Sequence, residues 1–191
     1  MYALITQNNE IAEIGELRTL FPNEPVPSHL YGIQHGARPI VDGHQEDQRF
    51  YFVTFDKYEV GADSVTRTYV NTPKILEDRL EVNEDNTPMY VKVWDATANS
   101  GQGAMVDSTE QMVTKGLKSQ YKTQFKQTAN SLLAQTDWMV IRKAERNIHI
   151  PDDVATKRAA ILTECDRLIA AVTAASDMTA FITAVQSANW N

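Results

Sequence analysis

The stretch Arg49–Val60, RFYFVTFDKYEV, together with Ser64–Asn71, SVTRTYVN, decides the fold class of the N-terminal part of the chain. Aromatic and β-branched residues dominate both runs, and these residue types favour β-strands. The short connection Gly61-Ala62-Asp63 contains turn-forming residues, so the two runs predict a β-hairpin. No other part of the sequence predicts a hairpin as strongly.

Further strands are predicted on both sides of this hairpin. Tyr2–Thr6 and Ile11–Ile14 flank the turn-forming pair Asn8-Asn9, which indicates an N-terminal hairpin. Leu20–Pro39 contains four prolines and two glycines, so we expect a connecting loop with at most one helical turn. Met89–Trp94 has the alternation of another strand.

The chain changes character near Ser108, because apolar residues recur at helical spacing beyond it. The small, polar and glycine-bearing segment 96–107 predicts a linker. It would join a β-rich domain, residues 1–95, to a helical domain, residues 108–191. The predicted class is α+β, with a small N-terminal antiparallel β region of hairpins followed by a C-terminal helical region.

Capping sequences mark the expected helix starts. Ser108 followed by Gln111 fits a capping box, which would open a long helix that ends near residue 134. Thr136-Asp137 is expected to cap a second helix and Pro151-Asp152-Asp153 to open a third, because acidic side chains complement the helix dipole. Ser176-Asp177 would cap a final short helix.

Composition and charge argue against two classes of partner. The chain has 191 residues and a net charge of −7, and affinity for nucleic acid depends largely on lysine and arginine. The patch Arg142, Lys143 and Arg146 is the one basic exception. No run approaches the roughly 20 apolar residues of a membrane span, and the N-terminus lacks the basic region of a signal peptide. We therefore expect neither nucleic acid nor a membrane as partner, and folding in a cytoplasm.

Groups suited to catalysis or metal binding are few. His35 and His44, with Asp42 and Asp47, could in principle hold a metal, but no helix or strand fixes their geometry, and solvated loop residues are the expected alternative. Cys165 has no second cysteine to pair with, so it is expected in the core, or else in an intermolecular disulfide. The sequence predicts no enzyme, no catalytic residue, no metal and no cofactor.

The central hairpin contains more aromatic residues than one face of a small hairpin needs. Strand alternation puts Phe50 and Phe52 on one side, and Tyr51 and Phe55 on the other. Either both faces are covered within the chain, or one face is an interface where aromatic side chains contribute much of the binding energy. The interface is favoured, with partner-binding residues Tyr51, Phe52, Phe55 and Tyr58.

The segment Leu132–Glu145, LLAQTDWMVIRKAE, resembles a pattern of phage tail-fibre assembly chaperones and related tail accessory proteins. In that family a Leu-Leu…[Ser/Thr]-Asp-Trp core closes one helix and opens the next. Pro27–Val41 and Gln48–Val70 resemble its middle segments, so the likeness covers roughly two-thirds of the chain and is most specific at Thr136-Asp137-Trp138. The long C-terminal segment Ile161–Asn191 departs from the short chaperones of the family.

The resemblance implies a protein that binds a trimeric tail-fibre subunit or a baseplate protein of a bacteriophage. It would act as an assembly chaperone in the host cytoplasm, or remain in the virion tail as a structural protein, a fibre adaptor. A homo-oligomer is also possible. On this basis Trp138 and Arg142 join the predicted partner-binding residues, although packing at the helix junction is the favoured role of Trp138.

Overall fold

The computed structural model describes residues 1–190, and its contacts divide the chain into two compact units that meet between Pro73 and Lys74. We call Met1–Pro73 unit 1 and the chain from Lys74 onward unit 2. The predicted α+β class is confirmed, because strands dominate the first part of the chain and helices the last.

Unit 1 is built on a five-stranded sheet in the order β2-β1-β3-β5-β4. Both predicted hairpins are confirmed, because β1 pairs antiparallel with β2 and β4 pairs antiparallel with β5. The elements of unit 1 are β1 (Tyr2–Ile5), β2 (Ile11–Gly15), α1 (Leu17–Leu20), α2 (His29–Gln34), β3 (Ala37–Asp42), β4 (Tyr51–Val60) and β5 (Val65–Pro73).

One strand of unit 1 differs from the prediction. β3 begins inside the segment predicted as a connecting loop, and it pairs parallel with β5, with Ile40 opposite Val65. The sheet is therefore mixed, whereas the sequence predicted antiparallel pairing throughout. Parallel neighbours need a long connection between them. The connection from β3 to β5 contains β4, which lies on the other side of β5 from β3.

Unit 2 begins with two small antiparallel sheets. β6 (Arg79–Leu80) pairs with β9 (Val113–Thr114), and β7 (Tyr90–Asp95) pairs with β8 (Ala104–Gln111). β7 confirms the strand predicted at Met89–Trp94. The one-turn element α3 (Ala98–Gly101) joins β7 to β8.

The predicted linker and the predicted start of the first long helix are both wrong. Much of segment 96–107 belongs to the β7–β8 hairpin, with Trp94 opposite Met105, so a boundary there would separate two paired strands. Ser108 opens no helix, because it lies within β8, where its Oγ accepts a hydrogen bond from the Glu110 amide. The helix begins only at Leu117, after Gly116.

Longer helices complete unit 2, and the predicted starts of the last three are confirmed. α4 packs on α6, and α6 packs on α7. Their contacts bury an apolar core that includes Phe125, Cys165, Leu168 and Phe181. The helices are α4 (Leu117–Ala134), α5 (Asp137–Arg146), α6 (Asp152–Ala174) and α7 (Met178–Gln186).

Within residues 1–190, no helix combines the length and the apolar character that crossing a bilayer requires.

Candidate partner-binding surfaces

The β4–β5 hairpin exposes part of the predicted aromatic surface. Phe52 and Phe55 are exposed, whereas Tyr51 and Tyr58 are half-buried. A bulge in β4 between Phe55 and Tyr58 breaks the regular alternation and brings their ring centroids to 5.0 Å. The four predicted residues therefore do not form one flat surface, and Phe52 and Phe55 are the two that can reach a partner.

The predicted grouping of Phe50 with Phe52 is wrong. Phe50 is 0% exposed, whereas Phe52 is 58% exposed. β4 begins at Tyr51, so Phe50 lies in the turn before the strand, where the alternation of a strand does not apply. Phe50 is a core residue, and only the aromatic side chains beyond it are available for binding.

Polar contacts tie the half of this hairpin nearest its turn to β3. The Tyr69 hydroxyl donates a hydrogen bond of 2.6 Å to Asp42 Oδ1, and Arg67 Nη1 lies 3.3 Å from the same carboxylate oxygen. The hydrogen bond to the Asp42 carboxylate raises the pKa of Tyr69, so its hydroxyl stays protonated at neutral pH. These contacts tie β3 to β5 beside the exposed side chains of β4.

β4 is the last strand in the sheet order, so one side of its backbone faces no other strand of that sheet. It is also the longest strand of the sheet, with 10 residues. An open edge of this kind can pair with a strand from another chain. Backbone pairing and aromatic contacts are therefore both possible along β4.

In unit 2, the segment Leu132–Glu145 forms the junction between α4 and α5. Arg158 of α6 fixes it: Nη1 donates to Leu133 O at 2.9 Å and to Thr136 Oγ1 at 2.6 Å, and Nη2 donates to Asp137 Oδ1 at 2.9 Å. The predicted side-chain cap at Thr136 is wrong, because its hydroxyl donates to Leu133 O instead. The sequence did not indicate Arg158 as the residue that holds this turn.

Trp138 stands on the surface of α5, with 52% of its area exposed. The Arg142 guanidinium lies 4.8 Å from the centroid of the Trp138 ring, which is the geometry of a cation–π contact. Ile141 is exposed on the same helix. The junction is thus held by Arg158 and the Trp138 side chain extends from it, rather than filling a packed core.

A third exposed apolar surface was not predicted. It lies on the β7–β8 hairpin, where Trp94 is 64% exposed and the directly opposite Met105 is 56% exposed. Gly103 has a positive φ of 81° and lies against the Trp94 ring, so an added Cβ would overlap that ring. A tryptophan at the end of a strand, followed by a glycine-containing turn, was the sequence signal that could have identified this surface.

The side chains considered for metal binding each contact a different partner instead of one another. His44 pairs with Glu46, Asp47 pairs with Arg49, and the His35 ring stacks on Tyr31 with centroids 4.0 Å apart. No cluster of three or more metal-ligating side chains occurs within the described part of the chain.

Cys165 is buried in unit 2, and burial raises the pKa of its thiol. The thiolate needed for disulfide exchange is therefore disfavoured. Comparisons of the chain with protein-family models, with curated proteins and with solved structures found no match.

Proposed function

We propose that this chain is a phage tail-fibre assembly chaperone or accessory protein that binds a fibre subunit and assists its folding or attachment. The proposal rests on the likeness at Leu132–Glu145 and on one observation, the exposed Trp138 beside a junction that Arg158 fixes. Such a site needs no reactive group. It would act in the host cytoplasm while the tail is assembled.

The physical case for binding at α5 is the combination of residue types. Tryptophan, tyrosine and arginine contribute most to binding energy at protein interfaces. The stacking of Arg142 on Trp138 limits the motion of both side chains before a partner arrives, which lowers the entropy lost on binding. Ile141 extends the apolar surface by one helical turn.

A permanent structural role in the tail or baseplate, as a fibre adaptor, is the second candidate. The open edge of β4 favours it, because a strand added there would gain a row of backbone hydrogen bonds along much of the 10-residue strand. Phe52 and Phe55 would then contact side chains of the added strand. Such an interface is suited to a stable complex as well as to a transient one.

Co-expression tests the leading proposal. The chain would be produced together with the tail-fibre subunit encoded beside it, and soluble fibre trimer would be measured by size-exclusion chromatography. We expect more soluble trimer with the wild-type chain than without it, and a reduced amount with Trp138→Ala. Lys157→Ala, at an exposed position of α6, is the matched control. Equal trimer yields with and without the chain would contradict the proposal.

Mass spectrometry of purified virions separates the two candidates. A chaperone would be absent from virions or present only in traces, whereas a fibre adaptor would be present at a fixed copy number for each tail.

A further inference from the structure

Unit 2 carries two exposed apolar surfaces of opposite charge. The first is the β7–β8 hairpin, which we call the ribbon. The second is the outward face of helix α5. Each has apolar side chains of a size usually buried in a core or an interface.

The ribbon consists of two strands and no third strand pairs with it among residues 1–190. Trp94 and Met105 are exposed side by side, and Val93 is also exposed. An isolated two-stranded hairpin is only marginally stable in water. A contact that covers Trp94 and Met105 would bury apolar area and stabilise the hairpin.

The ribbon and its base are acidic. Residues 79–114 contain six carboxylates and two cations, a net charge of −4. Both cations are already paired, Arg79 with Glu81 and Lys92 with Asp107. Glu84 and Glu110 are exposed, and neither forms an ion pair with any described residue. Both lie toward the base of the ribbon, because Tyr90, at the start of β7, pairs with Gln111.

Helix α5 is basic in comparison. Trp138, Val140 and Ile141 are exposed and lie within about 160° of the helix circumference. Asp137 is paired with Arg158, so Glu145 is the one other carboxylate of the helix, beside the three cations Arg142, Lys143 and Arg146. Lys143 and Arg146 are exposed, and the ion pairs of residues 1–190 include neither.

The two surfaces also match in length. Trp138 and Arg146 are separated by eight residues of helix, which is about 12 Å along its axis. Trp94 and Tyr90 are separated by four residues of strand, which is about 14 Å. The distance from the apolar to the charged end is therefore similar on α5 and on the ribbon.

We infer that α5 of one copy of the chain docks on the ribbon of a second copy. Trp138 and Ile141 would cover Trp94 and Met105, and Arg146, which lies about 80° round the helix from Trp138, would face Glu84 and Glu110. The two surfaces differ, so each copy offers one of each, and the copies either exchange both contacts in a closed two-fold dimer or extend into a ring or an open row. This self-association goes beyond fibre binding, and it would compete with a fibre subunit for Trp138 and Ile141.

Charge favours a second copy as the occupant. The whole chain has a net charge of −7, so two copies repel each other unless opposite patches face each other. The acidic ribbon requires a basic, apolar counterpart, and α5 has both properties on one helix. Because each copy carries one α5 and one ribbon, contacts between copies can cover both surfaces.

Sedimentation velocity of the purified full-length chain tests the inference over a range of concentrations, without any fibre subunit. We expect the average mass to rise with concentration above that of the monomer, and to fall at high salt because the contact is partly ionic. A mass that stays at the monomer over the whole concentration range overturns the inference.

Two charge-reversed variants provide the matched controls, Arg146→Glu, and Glu84→Lys with Glu110→Lys. All three side chains are exposed, so both variants should stay folded, and Arg146→Glu should melt only slightly lower because it places a carboxylate in the last turn of α5. Each variant alone should associate at least tenfold more weakly than the wild type. An equimolar mixture should associate again, because the reversed α5 of one variant fits the reversed ribbon of the other. Unchanged association of either variant, or no recovery in the mixture, overturns the inference.

Discussion

Arg158 contributes to the α4–α5 junction through three hydrogen bonds from one guanidinium. Its side chain is mostly buried, and hydrogen bonds that involve a charged group are stronger than neutral ones. We expect Arg158→Ala to lower the free energy of unfolding by about 1–3 kcal/mol, because three hydrogen bonds from a charged group are lost. The Leu133 carbonyl keeps the Thr136 amide and hydroxyl as donors, whereas the Thr136 and Asp137 oxygens lose the guanidinium. Thermal melting followed by circular dichroism measures the change. Lys157→Ala is the control, and equal melting temperatures for the two variants would refute this role of Arg158.

Gly103 and Gly101 allow the contact with Trp94 to be separated from backbone strain. Both glycines have positive φ, 81° and 83°, so alanine is strained at either position. Only at Gly103 would the new Cβ also overlap the Trp94 ring, whereas nothing lies within 4 Å at Gly101. Gly103→Ala should therefore lower the melting temperature more than Gly101→Ala and change the tryptophan fluorescence. Similar effects of both variants would mean that the close approach of Gly103 to the Trp94 ring adds nothing to stability beyond avoiding backbone strain.

Single residues were predictable where their position within an element was certain. Phe52 and Phe55 are exposed, as a partner-binding role requires, and that role stays a prediction. Trp138 is exposed too, so the packing that was favoured for it at the helix junction is wrong. Phe50 was misplaced because the start of β4 decides whether it belongs to the strand, and sequence alone does not fix strand ends to one residue. Arg158 was missed because its contacts join α6 to a turn more than twenty residues away.

At the scale of elements, the outer side of β4 allows binding and stability to be tested separately. Phe52 and Thr54 are both exposed and are two residues apart on this strand, so they lie on the same side of it. Phe52→Asp should weaken binding to a co-expressed fibre subunit at least tenfold and change the melting temperature by only a few degrees. Thr54→Asp introduces the same charge without removing an aromatic ring, so it should retain most of the binding. Equal losses of binding and of stability in Phe52→Asp would indicate a core residue.

Elements with local signals were predicted well, and those that depend on distant partners were not. Helices α5, α6 and α7 begin where capping sequences predicted, and Asp177 accepts a hydrogen bond from the Ala180 amide as expected of an N-cap. β8 was taken as part linker and part helix because its small, polar residues have weak strand preference. β8 forms a strand because it pairs with β7, and no local sequence pattern indicates that pairing.

At the scale of the whole molecule, the division into units follows contacts that are distant in sequence. Segment 96–107 has the composition of a linker, yet much of it lies in a hairpin, whereas the boundary between Pro73 and Lys74 has no Gly- or Ser-rich composition. Residues 75–78 belong to unit 2 because they bind the start of α4. The Ile75 and Leu76 carbonyls accept from the Leu117 and Lys118 amides at 2.9 Å and 3.0 Å.

Two further contacts strengthen this attachment. Asp78 Oδ1 accepts from the Gly116 amide at 2.9 Å, and the pKa of Asp78 is lowered by hydrogen bonds from Ser119 and from that amide. The mostly buried Lys118 ammonium binds the Glu77 carboxylate and donates to Thr173 O at 3.1 Å, which joins α4 to the end of α6. Residues 75–78 therefore satisfy the first amides of α4, which otherwise have no partner within the helix.

Two fragments distinguish the observed boundary from the predicted one. Residues 74–191 keep the attachment to α4 and the whole ribbon, whereas residues 108–191, the helical domain predicted from sequence, lose both. We expect the longer fragment to melt cooperatively and at a clearly higher temperature by circular dichroism. Asp78 stabilises the longer fragment at neutral pH, because folding lowers the pKa of this carboxyl below the ordinary value of an aspartate. This contribution is lost as the pH falls through the folded pKa. The difference between the fragments should therefore narrow in acid. Equal melting temperatures at neutral pH would show that the helices of unit 2 do not need residues 74–107.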